Sequence, residues 1–149
     1  MLSTLKRFRR DRQADIWSFI AVALVFIALP LASLTVDVVR GLYVRTHLQI
    51  AADAACQAAA NSLDTAIFQE TGVQQINHAL ARARAANVFY GTLADASTVG
   101  FTPALVVGFP GATLAACQAT ASVAHLIPIT PSMTAVVVTT SQMRVITNP

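Results

Sequence analysis

The sequence predicts a membrane-anchored α+β protein: a long N-terminal transmembrane and stalk helix, a second packed helix, and a small antiparallel β-sheet. Three observations lead there. Residues Ile16 to Val36 (IWSFIAVALVFIALPLASLTV) run for 21 positions without a charged side chain. The stretch from Asp37 to Asp64 is dense in alanine and free of proline. From Thr92 onward, valine, threonine, proline and glycine replace the alanine-rich sequence.

The apolar run fits lipid. A bilayer core of about 30 Å takes about 20 helical residues, and without water every backbone polar group must bond within the segment, which selects a helix. Pro30 predicts a kink of the kind membrane helices tolerate. A buried helix of a soluble protein this long would show a polar face. A cleaved signal peptide would have an apolar stretch of about 7–15 residues and a small-residue cleavage site. Ala28, Ala32 and Ser33 offer only a weak one, and helical sequence continues through Val38–Ala60. The expectation is therefore an uncleaved anchor.

Charge gives the orientation. Before the run, Lys6, Arg7, Arg9, Arg10 and Arg12 face Asp11 and Asp15, which places the whole net charge of +3 in the first 15 residues. Beyond it, five arginines balance five acidic residues. Basic residues beside a membrane helix stay on the cytoplasmic side. The reading is a cytoplasmic basic tail (1–15), a transmembrane helix (16–36), a stalk helix (37–68) and a small α+β extracytoplasmic domain (69–149), in the inner (plasma) membrane of a bacterium. The basic cluster reads as a contact with anionic lipid headgroups; it is too short and too close to the membrane to indicate nucleic acid. The segment past the membrane has room for one modest domain.

In the stalk, Val38, Leu42, Arg45 and Gln49 share one side, and Val39, Tyr43, Thr46 and Ile50 another. Ala51, Ala55, Ala58 and Ala59 leave a smooth face. Such a face either admits the backbone of another helix closely or reflects high helix propensity alone. If it receives a partner, added bulk there weakens assembly more than folding. A linker at Gln69–Gly72 precedes a second helix, opened by the capping-box spacing of Thr71 and Gln74, marked by Val73, Ile76, Leu80, Ala83 and Val88, and stopped at Gly91. Phe101–Phe109, Leu114–Ile127 and Ala135–Ile146 read as strands separated by prolines and glycines, with a turn at Pro128–Pro131.

The patterns that carry catalysis are missing. His47, His78 and His125 lack metal-binding spacing, and the two cysteines form no C-x-x-C pair. No Gly-rich phosphate loop or G-x-S-x-G elbow occurs. Neither enzyme activity, a metal nor a cofactor is expected. Cys56 and Cys117 are candidates for a disulfide, which an extracytoplasmic location favours; the alternative is two separate buried thiols.

The segment Asp15–Ala60 resembles the N-terminal module of tight-adherence (Tad/Flp) pilus-assembly membrane proteins, of the G-type branch. The resemblance rests on Arg10–Arg12, the apolar helix, Asp37 and Arg40, Tyr43, Leu48–Gln49, and the run Ala51-Ala52-Asp53-Ala54-Ala55. It covers about a third of the chain; the late strands, Cys117–His125 and Thr134–Val145, resemble strand pairs of these proteins more weakly. The family pattern has glycine near the helix start, where this chain has Ala14. The resemblance implies a pilin-like fold and a single-pass, non-enzymatic structural or assembly subunit, with membrane lipids and other subunits of a membrane assembly as its partners. True prepilins carry glutamate at the fifth position after their cut. A cut after Ala14 places Phe19 there, which fits a minor or scaffolding part better than a polymerised pilin. The competing expectation is an accessory subunit of another membrane complex, respiratory or photosynthetic.

Overall fold

The structure, a computed structural model, describes residues 16–94, 100–123 and 133–144. The chain divides into two compact units, Met1–Val39 and Arg40–Pro149. In the first, the described residues are helical throughout. They open helix α1, Ile16–Ala60, which contains a π-helical turn at Leu24–Ala28. The turn lies just ahead of Pro30, whose missing N–H leaves the Phe26 carbonyl without its usual partner. Widening to a π-turn is one way a helix absorbs such a loss.

In the second unit α1 ends at Ala60, earlier than the alanine-rich composition indicates. The reason is tertiary. Ser62 is fully buried and its hydroxyl donates to the Ala58 carbonyl (2.9 Å). The next backbone groups find partners across the chain: Asn77 N–H donates to Ser62 O and Asp64 N–H to Gln75 O, both at 2.8 Å, and Leu63 bridges Ile76. The stalk helix expected to run to residue 68 is thus interrupted, and helix α2 (Thr65–Thr71) occupies most of the expected linker. Asp64 caps it, accepting from Ile67 N–H (3.3 Å). Gly72 closes it at φ 71, donating to Phe68 O, a left-handed geometry that glycine adopts without steric cost.

The capping box read at Thr71–Gln74 needs correction. Thr71 finishes α2: its hydroxyl donates to Ile67 O (2.7 Å) and accepts from Val73 N–H (3.2 Å). Helix α3 (His78–Leu93) starts later, with Asn77 accepting from Leu80 N–H (3.1 Å), and it continues through Gly91, which does not stop it. Its inward stripe is Ala81, Ala85, Phe89 and Leu93, one residue every four. Val73 and Leu80, expected to face inward, are 55% and 39% exposed.

The sheet is an antiparallel meander, β1 (Phe101–Gly111), β2 (Leu114–Val123) and β3 (Met133–Gln142), in that spatial order. The first hairpin turns through Ala112 and Thr113, with a register irregularity between Gly108 and Gly111. The connection holding Pro128 and Pro131 lies outside the described residues. Because side chains alternate across a strand, β2 turns Ala115, Cys117, Ala119, Ala121 and Val123 inward and exposes Gln118 and Ser122. The inward residues of β2 share one core with Val44, Leu48 and the alanines of α1, with Ile76, and with the α3 stripe. Phe89 is the largest fully buried side chain among the described residues. Half of the buried core residues are alanine, and Val44, Leu48, Ile76, Leu93, Val123, Val137 and Met143 supply most of its remaining bulk.

Candidate membrane anchor and packing surface

The first half of α1 is apolar on all sides. Its most hydropathic window has a mean hydropathy of 2.6 with none of it buried, and between Ile16 and Val36 only Ala23 and Ser33 are even partly covered. Thr35 disposes of its hydroxyl by donating to Leu31 O (2.9 Å), the internal solution a polar group needs in lipid. Trp17 stands at the beginning of the span, where an amphipathic ring suits a headgroup boundary. The basic cluster Lys6, Arg7, Arg9, Arg10 and Arg12 lies outside the described residues.

Past the span, the motif residues separate into two faces. Val44, Leu48, Ala51, Ala52, Ala55, Cys56, Ala59 and Ala60 are fully buried, following the three- and four-residue spacing of one helix face. Of the alanines read as a packing face, Ala51, Ala55 and Ala59 are in this set, and Ala58 is half-buried. That face is therefore occupied inside the chain, chiefly by a core it shares with β2. Leu42, Tyr43, Arg45, Gln49, Ile50 and Asp53 are exposed. Tyr43 lies against His47 with ring centroids 4.2 Å apart. Asp37 is largely buried.

Two features escaped the sequence reading. Asp64 and Asn77 each cap a helix and also meet each other, Asn77 Nδ2 donating to Asp64 Oδ2 (3.3 Å). His78 stacks on Phe109 (4.2 Å, 3°), and the Arg82 guanidinium lies 5.6 Å from the same ring. Stacking of this kind holds α3 against β1 and leaves His78 in a packing role. His125 lies outside the described residues. Among the described residues, no three of the His, Cys, Asp and Glu side chains come together as a metal site would require.

Cys56 and Cys117 are both buried thiols. Cys56 Sγ donates to Ala115 O (3.4 Å) and Thr139 O (3.6 Å). Burial, together with the neighbouring Cys56 side chain, pushes the Cys117 thiol well above its ordinary range, so it stays protonated in the fold.

No curated protein and no solved structure matches the chain. Residues 18–62 match the family described as putative Flp pilus-assembly TadE/G-like. The matched segment takes in nearly the whole apolar helix and the alanine stripe after it, so the likeness to pilus-assembly proteins lies in the candidate membrane helix of this α+β chain and the turns that follow it.

Proposed function

We propose that the protein is a non-enzymatic, single-pass subunit of a Tad-type pilus-assembly apparatus in a bacterial plasma membrane. Ile16–Val36 spans the bilayer, the basic tail stays in the cytoplasm, and residues 37–149 form the stalk and head outside. The observation that carries this reading is the coincidence of an apolar helix, with none of its most hydropathic window buried, and the family match over 18–62. Thirteen large apolar side chains stand exposed from Ile16 to Val36. Full burial of such a side chain is worth about 1.5–3 kcal/mol, so leaving these half- to three-quarter-exposed groups in water forgoes roughly 10–20 kcal/mol of burial. Lipid removes that cost.

The charge asymmetry about the helix supports the orientation. For contact with other subunits, the exposed side of α1 at Leu42, Tyr43, Arg45, Gln49 and Ile50 is the better candidate, because the alanine side is filled from within. Phe19 at the fifth position after Ala14 supports a minor or scaffolding role over a polymerised one.

Purification of the intact chain from mild detergent tests the assignment. Secretion-motor and pilus-platform proteins should accompany it. Redox subunits in their place, or recovery as a lone monomer, would reject it. The anchor itself is tested by alkaline extraction of membranes: the chain should stay in the membrane pellet and leave it only with detergent, and release by alkali alone would reject the anchor.

A further inference from the structure

We infer that Cys56 and Cys117 are joined by a disulfide that fastens the last turns of α1 to the middle strand of the sheet. The chain has two cysteines, separated by 60 residues, and the fold brings both to one place. Cys56 Sγ lies within 3.4 Å of Ala115 O and 3.6 Å of Thr139 O. Ala115 and Cys117 turn to the same face of β2, and Thr139 is the cross-strand partner of Cys117. The Cys56 sulfur therefore lies against the carbonyl two residues before Cys117 on its own strand and the carbonyl of the residue paired with Cys117 on the next, and the two cysteine side chains are neighbours. Both side chains are buried, at 0% and 1% exposure. Packing as small apolar groups would be served by cysteines anywhere in the core; it does not call for the chain's two sulfurs to be neighbours. Cys56 belongs to the family-matched segment and Cys117 lies beyond it, so the bond unites the Tad module with the sheet.

The chemistry is thiol–disulfide exchange with the disulfide of an oxidoreductase or of glutathione. One cysteine thiolate attacks that disulfide, giving a mixed disulfide and expelling one thiolate. The second cysteine, as thiolate, attacks the mixed disulfide at the first cysteine's sulfur; the Cys56–Cys117 bond forms and the remaining thiolate leaves. The two cysteines are oxidised, the donor disulfide is reduced to two thiols, and the two cysteine protons pass to solvent or to those thiolates. The native burial keeps the Cys117 thiol protonated, so exchange belongs to the folding chain, before helix and strand close on the pair. Once closed, the same burial shields the bond from soluble reductant. The inference rests on the extracytoplasmic placement of the head, where such bonds persist.

The test alkylates the full-length chain, taken from cells, under denaturing conditions without reductant, followed by peptide mapping. The expected result is no label on either cysteine, a linked peptide containing Cys56 and Cys117, and release of both thiols on reduction. Reduction should also lower the melting midpoint of the head by more than about 10 °C, because the bond closes a long loop. Label on both cysteines without reductant overturns the inference. To separate this from an error in topology, Val138→Cys in a Cys56→Ala/Cys117→Ala background reports the side of the head, since Val138 is exposed. A membrane-impermeant maleimide should label it in spheroplasts. Labelling there with free native thiols rejects the bond and leaves the proposed topology standing. No labelling rejects the topology, and the bond is then decided by refolding the purified full chain in detergent with glutathione disulfide: the linked peptide upholds the pairing, and free or intermolecularly paired thiols overturn it.

Discussion

Replacing Ala55 by leucine tests the alanine-built core directly. Ala55 is fully buried, with Ala51 and Ala59, also fully buried, one turn to either side, and it shares its core with the inward alanines of β2. Leucine adds three carbons at a position with no exposed surface. Overpacking of this kind costs about 1–3 kcal/mol. Ala58, one turn from Ala55 but half-buried, should accept leucine within about 0.5 kcal/mol. With a urea dependence of about 1–3 kcal/mol per molar for a domain this size, Ala55→Leu should lower the unfolding midpoint by about 1 M, and Ala58→Leu should leave it in place. The assay is a urea titration of the intact chain in detergent micelles, followed by circular dichroism in the β-sheet region. Tryptophan fluorescence will not serve, because the single tryptophan, Trp17, lies in the anchor. Equal midpoints for the two variants would refute the argument that the alanine face is filled from within, and would return that face to the surfaces open to a partner.

Other perturbations have definite expectations. Phe89→Ala removes the largest fully buried side chain and should cost about 3–5 kcal/mol, whereas Tyr90→Ala, at an exposed neighbour, should cost far less in the same titration. Asn77→Ala deletes the α3 cap and the hydrogen bond to Asp64; a loss of about 1 kcal/mol is expected, visible as faster amide exchange in the first turn of α3. With both cysteines kept reduced, the unfolded chain ionises Cys117 near its ordinary value of 9.0 while the fold holds the proton to higher pH. The folded state's thiol is thus favoured in full below that value, and its contribution declines as pH rises beyond it. Melting midpoints of reduced and bridged protein, compared at neutral pH and at about pH 10, should diverge with the reduced form falling further; parallel curves would show that the thiol is not shielded.

The long apolar helix was legible because the demand lipid makes, about 20 apolar residues in one helix, is met by composition alone. The meander was legible because its strands carry β-branched residues between prolines and glycines, although β3 begins two residues ahead of its expected start and ends at Gln142, and the expected last residues of β2, 124–127, lie outside the described residues. The helix boundaries were not. Nothing in the sequence near Ala60 breaks a helix; the break comes from Ser62, Leu63 and Asp64 pairing with Gln75–Asn77, contacts that exist only once the chain has turned back. The α3 stripe was misread because periodicity was sought among the larger residues, Val73 and Leu80, while the inward positions Ala81 and Ala85 carry little hydropathic contrast with their neighbours. The Tad motif was legible from Asp37 to Ala55, but which surface its alanines meet depends on β2, which follows more than 50 residues later.

Alanine has no rotamers to surrender on folding and no long stem that can swing aside to make room. Where Ala51, Ala55 and Ala59 face the core, a change of volume therefore has few local rotamers to absorb it and must be met by the larger neighbours or by a shift of the main chain.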